Sequence, residues 1–177
     1  MTRRASTWDR LAYIARGIAI IPALLALGAS QPASPLLLPQ IDFVRVLKSE
    51  RSIELFADGK SVHVITGIQL GGAPVGPKRF EGDQRTPEGL YEIDWGNPAS
   101  SYYLSLHISY PNADDMAFAA SHGRSAGGMI MIHGQPNSLP EGRVPGDWTD
   151  GCIAVSNDEM DALWEAVPDG TPIELLP

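Results

Sequence analysis

The sequence has a single cysteine, no long hydrophobic run and few of the motifs that mark common enzyme classes. One cysteine among 177 residues excludes an internal disulfide. An apolar run over residues 17–28 extends about 1.5 Å per residue, too short for a bilayer core of about 30 Å. The spacing His-Glu-x-x-His is absent, as are a phosphate-binding loop and a dinucleotide fingerprint. These absences argue against a disulfide-stapled domain, a zinc protease of the common type and a nucleotide-binding enzyme.

The first thirty residues differ from the rest of the chain. Four arginines and one aspartate precede the apolar run, and small residues follow it. This order predicts a secretory signal peptide over residues 1–30, with an uncleaved membrane anchor as the second choice. Residues 31–40 contain three prolines and predict a linker. We therefore expect one domain over residues 41–177, exported to the periplasm or cell envelope.

The charge balance restricts the partners. Without the predicted leader the chain has 9 basic and 20 acidic residues, a net charge of about −11. Such a surface repels phosphate backbones, so we expect no nucleic-acid partner. Membrane contact is expected only through the N-terminal segment, if it is not cleaved.

The pattern of the remaining residues predicts a mainly β fold with short helices. Alternating apolar and polar residues predict a series of short strands, and Asp58-Gly59 is typical of a two-residue hairpin turn. Asn112 is placed to cap a helix over residues 113–120, and Ser156 begins a capping box before a helical apolar stripe. A last strand is predicted over residues 171–176.

Two residues carry the chemical signal. Cys152 follows Gly151 at the start of a short predicted strand, after a long loop. His133 ends an apolar run nineteen positions earlier. A lone cysteine and a histidine on separate segments are a candidate nucleophile and base, because imidazole promotes the reactive thiolate. The alternative is that Cys152 is merely a small buried hydrophobic residue.

Several short segments of the chain form a recognisable set. They are Gly76-Pro77-Lys78, Gly82-Asp83, Arg85-Thr86-Pro87-Glu88-Gly89, Ser109-Tyr110-Pro111-Asn112, Ile132-His133-Gly134 and Gly151-Cys152. Together they resemble the YkuD-type L,D-transpeptidase catalytic domain family, and within it the YafK-like branch. The resemblance covers roughly residues 43–177. Two residues depart from the usual pattern: Asp150 stands where histidine is common, and Ala154 where arginine or asparagine is common.

The resemblance implies a β-sandwich or barrel-like domain and a role in cell-wall biogenesis and cell shape. The implied reaction is acyl transfer between peptidoglycan stem peptides through a thioester on Cys152, without cofactor or metal. His133 would act as the base, and the carbonyl of Gly134 would orient it. The backbone N–H groups of Gly151 and Cys152 would stabilise the oxyanion.

Further residues are expected to contact the stem peptides. Lys78 and Arg85 would bind carboxylates, with Asp83 holding Arg85. Tyr110 and Trp148 would line a peptide groove, although core packing explains them equally well. The full predicted substrate-binding set is Lys78, Arg85, Tyr110, Trp148, Thr149 and Asp150.

Other functions stay open on the sequence alone. A cysteine peptidase or hydrolase on the same fold would cleave stem peptides or a protein–peptidoglycan link. A zinc peptidase would need ligands such as His122, His133 and Asp114, and a wall-binding module would not need a reactive cysteine. We expect His122 and His63 to be loop or surface residues, and His107 to be structural or substrate-lining.

Overall fold

The computed structural model describes residues 37–139 and 141–177. The predicted leader over residues 1–30 lies outside the described residues, as does the predicted linker up to residue 36. Within the described part of the chain, no helix combines the length and the apolar character needed to cross a membrane.

The described residues form eight strands and two helices. The helices are short, and the second one follows soon after the strand next to Cys152. In chain order the elements are β1 Phe43–Leu47, β2 Ser52–Ala57, β3 Lys60–Thr66, β4 Gly89–Ser100, β5 Tyr103–Ile108, α1 Ala113–Ser121, β6 Ile130–His133, β7 Ile153–Ala154, α2 Asn157–Ala166 and β8 Thr171–Leu176.

The strands form one sheet in the order β3-β2-β1-β8-β4-β5-β6-β7. Most neighbours are antiparallel, while β1 with β8 and β6 with β7 are parallel. The chain just after β3 reaches the opposite edge, where the backbones of Gln69 and Ala154 exchange two hydrogen bonds of 2.9 and 2.8 Å. The predicted mainly β, barrel-like fold with short helices is therefore confirmed, as a half-barrel.

Local sequence signals account for several boundaries. Asp58 and Gly59 both have positive φ, 52° and 69°, as the predicted hairpin turn requires. Asn112 and Ser156 each form a complete capping box. Strand β4 continues over twelve residues, because two register shifts against β5 accommodate its irregular second half. Cys152 precedes β7 rather than belonging to it.

Strands β5 and β6 place core residues on one face of the sheet and the candidate site residues on the other. Leu106, Ile108, Ile130 and Ile132 are buried in the core, and α2 packs beside β5 with Met160 and Leu163 buried. The opposite face, here called the histidine face, carries Ser105 and His107 on β5 and Met131 and His133 on β6. The site lies on this second face.

Candidate active site

Cys152 and His133 occupy the same face of neighbouring segments. In the parallel pairing of β6 with β7, His133 is opposite Ala154, so Cys152 lies two positions earlier on the same side. The contact of its sulfur confirms this placement, because the Met131 N–H donates to Sγ at 3.4 Å. At about 3.3 Å per residue, the two backbone positions are about 7 Å apart along the strand.

Hydrogen bonding fixes the tautomer of His133. Its Nδ1 lies 2.7 Å from the carbonyl oxygen of Gly134, and since a carbonyl only accepts, Nδ1 carries the proton. Nε2 is therefore the basic nitrogen. Burial lowers the pKa of His133, and the bond to Gly134 opposes that shift. The imidazole is thus neutral at neutral pH and ready to accept a proton.

Two aromatic rings enclose this imidazole. The ring centroids of Tyr102 and Trp148 lie 4.8 and 5.5 Å from that of His133. Among the described residues, only Trp148 Nε1 is a buried side-chain nitrogen or oxygen without a hydrogen-bond partner. In the part of the chain that the structure describes, His133 Nε2 makes no hydrogen bond, and the residue is 3% exposed.

The Cys152 thiol is half-buried and protonated in the resting site. Burial has the largest effect and raises the pKa of the thiol, and the negative charge of Asp150 raises it further. The Met131 N–H and the positive charge of Lys78 lower it, but the net shift is upward. No hydrogen bond joins Sγ to His133 within residues 37–139 and 141–177. Burial and Asp150 therefore favour the neutral thiol over the thiolate in the resting site.

The turn before Cys152 is built from hydrogen bonds and a glycine. Gly151 has φ +127°, and a Cβ there would lie 2.5 Å from the carbonyl oxygen of Arg85. Thr149 Oγ1 accepts the Gly151 N–H at 3.2 Å and donates to the Cys152 carbonyl at 2.7 Å, while Thr86 donates to the Gly151 carbonyl at 2.9 Å. Thr149, predicted to bind substrate, is buried and positions this turn instead.

These bonds also affect the expected oxyanion donors. The Gly151 N–H is engaged by Thr149. The Cys152 N–H makes no hydrogen bond within the described ranges. It is the better placed of the two predicted donors to meet a developing negative charge.

Lys78 is not available to bind a substrate carboxylate. Its Nζ lies 2.9 Å from Asp83 and 3.1 Å from the Phe80 carbonyl, and the side chain is almost fully buried. Burial by itself would raise the pKa of Asp83, but backbone donors together with Lys78 lower it overall. The prediction for Lys78 is corrected: it anchors the loop that carries Arg85.

Arg85 remains a candidate carboxylate ligand. Asp83 holds its backbone, accepting the Arg85 N–H at 3.1 Å, and does not pair with its guanidinium. Within the described part of the chain, the half-buried guanidinium makes no ion pair or hydrogen bond and lies beside Gly76. Its backbone carbonyl adjoins Gly151, so Arg85 belongs to the loop that packs against the turn before Cys152.

The three other residues that were predicted to contact substrate differ in their burial. Tyr110 is only 2% exposed and its hydroxyl donates to the Ala126 carbonyl at 3.1 Å, so its prediction as a groove residue is corrected to core packing. Trp148 is half-buried against His133. Asp150 is exposed next to the thiol.

Two contributors were missed at the sequence level. Tyr102, 40% exposed, stacks on His133 from the turn between β4 and β5. Asn157 accepts the Gln135 N–H at 2.8 Å and packs against Gly134. Neither carried a local signal, because both reach the site only through the pairing of β5 with β6 and the start of α2.

The zinc alternative has no geometric support. His122 ends α1, where its Nδ1 lies 2.9 Å from the Phe118 carbonyl and its ring packs on Phe118. Among the residues that the structure describes, no three His, Cys, Asp or Glu side chains come together as metal ligands. His63 is half-buried on β3.

Comparison with known proteins identifies similar domains. Residues 41–175 match the family model of the YkuD L,D-transpeptidase catalytic domain. The L,D-transpeptidase-family protein YafK of Escherichia coli K12 is 29% identical over 175 residues, covering 86% of this chain and 64% of YafK. The chain thus spans less than two thirds of that curated relative.

Solved structures share the fold. The helical cell shape determining protein Pgp2 of Campylobacter jejuni is 29% identical, with TM-score 0.61, covering 77% of this chain and 48% of Pgp2. An L,D-transpeptidase of Xylanimonas cellulosilytica is 19% identical, with TM-score 0.50, covering 82% of this chain and 63% of that one. The second similarity shows the fold alone.

Proposed function

The chain belongs to the YkuD family of L,D-transpeptidase catalytic domains, and from that premise we propose that Cys152 forms a thioester with a peptidoglycan stem peptide. The observation that carries the proposal is the pairing of β6 with β7. It puts a half-buried thiol and an imidazole with a free Nε2 on one face of the sheet. This is the arrangement that nucleophilic catalysis by cysteine needs.

Acylation follows from the protonation states of the site. Because thiol and imidazole are both neutral at rest, Cys152 gives its proton to His133 Nε2 as Sγ attacks the donor carbonyl. The Cys152 N–H faces the oxygen on which negative charge develops. The intermediate collapses by breaking the carbonyl–nitrogen bond, and His133 returns the proton to the leaving D-Ala amine.

The proposed donor is a stem tetrapeptide, attacked at the carbonyl of its third residue, and three side chains support its binding. The free guanidinium of Arg85 meets a stem-peptide carboxylate. Tyr102 and Trp148 offer aromatic surface beside His133 for the peptide chain. Asp150 and Ala154 replace residues common in the family, so we expect the choice of donor to depend on Arg85 more than on this segment. The protein would act in the cell envelope after export by its N-terminal segment.

The thioester is resolved by an amine or by water, which separates the transferase from the hydrolase on the same fold. The test mixes the purified protein with tetrapeptide muropeptides, with and without an excess of a second stem as acceptor. Chromatography with mass spectrometry should show release of D-Ala and a cross-linked product that grows with acceptor concentration. Cys152→Ala should give neither, and His133→Gln should slow D-Ala release by at least ~10²-fold.

A matched variant, His63→Gln, makes the same replacement on β3 and should keep the wild-type rate. Free stem tripeptide without cross-link at any acceptor concentration would support the hydrolase. Absence of D-Ala release from every tetrapeptide would reject the proposal.

A further inference from the structure

A second histidine lies in line with the nucleophile on the histidine face. The antiparallel pairing of β5 with β6 sets His107 directly opposite Met131. On the other side of Met131, its N–H donates to Cys152 Sγ at 3.4 Å. His107, Met131 and Cys152 therefore form a row across three segments. With strands about 4.8 Å apart, the backbones of His107 and Cys152 are about 10 Å apart.

The surroundings of His107 fix its ring and its tautomer. Nδ1 lies 2.6 Å from Asp94 Oδ1, and because a carboxylate only accepts, Nδ1 carries the proton. Trp95 stacks on the ring with centroids 4.7 Å apart and planes 16° apart. Like His133, His107 thus has an imidazole held in one orientation, with Nδ1 bonded to an acceptor and Nε2 at the other edge of the ring.

This arrangement comes from a defect in strand pairing. The register of β4 with β5 shifts between Ile93 and Trp95, so that both Asp94 and Trp95 lie against His107. Such a bulge re-aims side chains and is common next to active sites. A regular ladder continued from the pair Ile93 and Ile108 would have set Asp94 alone opposite His107, and the bulge adds Trp95.

The second nitrogen of His107 makes no hydrogen bond in the described part of the chain, and the side chain is 12% exposed. Asp94 is 36% exposed and Trp95 37%. A solute at this point would meet a carboxylate, an aromatic ring and a basic nitrogen together, which suits a primary ammonium group.

We propose that His107, oriented by Asp94, is the base that removes a proton from the acceptor amine; this inference rests on the proposed thioester chemistry. A primary amine is largely protonated at neutral pH and cannot attack in that form. Asp94 and Trp95 attract the ammonium, and His107 Nε2 takes one proton. The nitrogen lone pair then attacks the thioester carbonyl, forming a carbon–nitrogen bond and breaking the carbon–sulfur bond. The second amine proton passes through His133 to the departing Cys152 thiolate.

The spacing along the row suits this step. The thioester carbonyl carbon is bonded to Sγ, the attacking nitrogen approaches it at about 3 Å, and the base lies about 3 Å beyond the nitrogen. The separation of about 10 Å between the two backbones accommodates this sequence of atoms. The side chain of Met131 lies on the same face between the two residues and is buried, which makes this part of the row apolar.

The test measures how the acyl-enzyme divides between amine and water. Wild type, His107→Gln, Asp94→Asn and the control His63→Gln are acylated with a tetrapeptide donor and offered increasing concentrations of a second stem as acceptor. Acylation is followed by D-Ala release, and the two products are quantified in the same sample. Their ratio does not depend on the folded fraction of a variant.

We expect the ratio of cross-linked to hydrolysed product to fall by at least ~10²-fold in His107→Gln and at least ~10-fold in Asp94→Asn. His63→Gln should match wild type. An unchanged ratio in His107→Gln, with acylation intact, would overturn this inference and leave the proposed function standing. A wild type that is acylated but never yields cross-link would also overturn it, in favour of the hydrolase. A wild type that is never acylated would reject the proposed function itself.

Discussion

Replacing Gly134 by alanine tests whether its carbonyl orients the base. A Cβ at this position would lie 2.6 Å from Asn157 Oδ1 and 2.8 Å from Tyr103 Cβ. The Cβ of Tyr103 cannot rotate away, because it is attached directly to the backbone at the start of β5. The Gly134 backbone must therefore move by roughly 0.5 Å or more to restore ordinary packing distances.

The expected effect has two parts. Overpacking of this kind costs about 1–3 kcal/mol of the free energy of unfolding. The same shift displaces the carbonyl that accepts the His133 Nδ1–H at 2.7 Å, and tilts the imidazole. Since a misplacement of about 1 Å at a reacting group costs about 10²-fold in rate, we expect kcat/KM for D-Ala release to fall roughly 10- to 100-fold.

Gly128→Ala is the matched control. Gly128, like Gly134, does not adopt positive φ, but a Cβ there would meet its nearest atom, in Pro111, only at 3.7 Å. We expect its stability and kcat/KM to match wild type. Both variants are compared by urea unfolding and by the rate of D-Ala release. A Gly134→Ala enzyme that is less stable but equally fast would refute the orienting role of the carbonyl, and one unchanged in both would refute the packing argument.

Three further predictions concern titratable groups that are buried or half-buried. Asp83→Ala leaves the buried Lys78 ammonium uncompensated and should lower the free energy of unfolding by about 3–5 kcal/mol, measured by urea unfolding; a loss under 1 kcal/mol would contradict the buried pair. Because its pKa is raised, Cys152 should react with iodoacetamide only as the pH rises into the alkaline range, and Asp150→Asn should shift that curve to lower pH; fast alkylation at pH 5–7 would instead indicate a resting thiolate. Because the folded-state pKa of His133 is below the unfolded value of about 6.5, the unfolded chain binds more protons, so stability should fall below pH ~6.5; a His133→Gln variant should lose that part of the slope.

Local signals made much of the fold predictable. The hairpin at Asp58-Gly59 and the caps at Asn112 and Ser156 act over three or four residues, and each is found as predicted. The order of strands in the sheet was not predictable in the same way, because it depends on pairings such as β1 with β8 across the whole domain. The length of β4 depends on bulges that no residue pattern in it announces.

The residues of the candidate site were likewise predictable only in part. Short motifs identified Cys152 and His133, and the structure puts them on one face. The role of Lys78 was misjudged, because only the folded loop shows its ammonium enclosed with Asp83. The upward shift in the pKa of the Cys152 thiol was not predictable either, because it depends on burial, which no sequence motif shows.

The most direct test of the account is the chemical fate of one sulfur atom. The protein is mixed with a tetrapeptide muropeptide, quenched in acid within the first turnover, digested and analysed by mass spectrometry. We predict a thioester-linked stem peptide, lacking D-Ala, on the peptide that contains Cys152, and no such adduct in Cys152→Ser. A wild-type protein that releases D-Ala while its sulfur stays unmodified at every quench time would contradict the account.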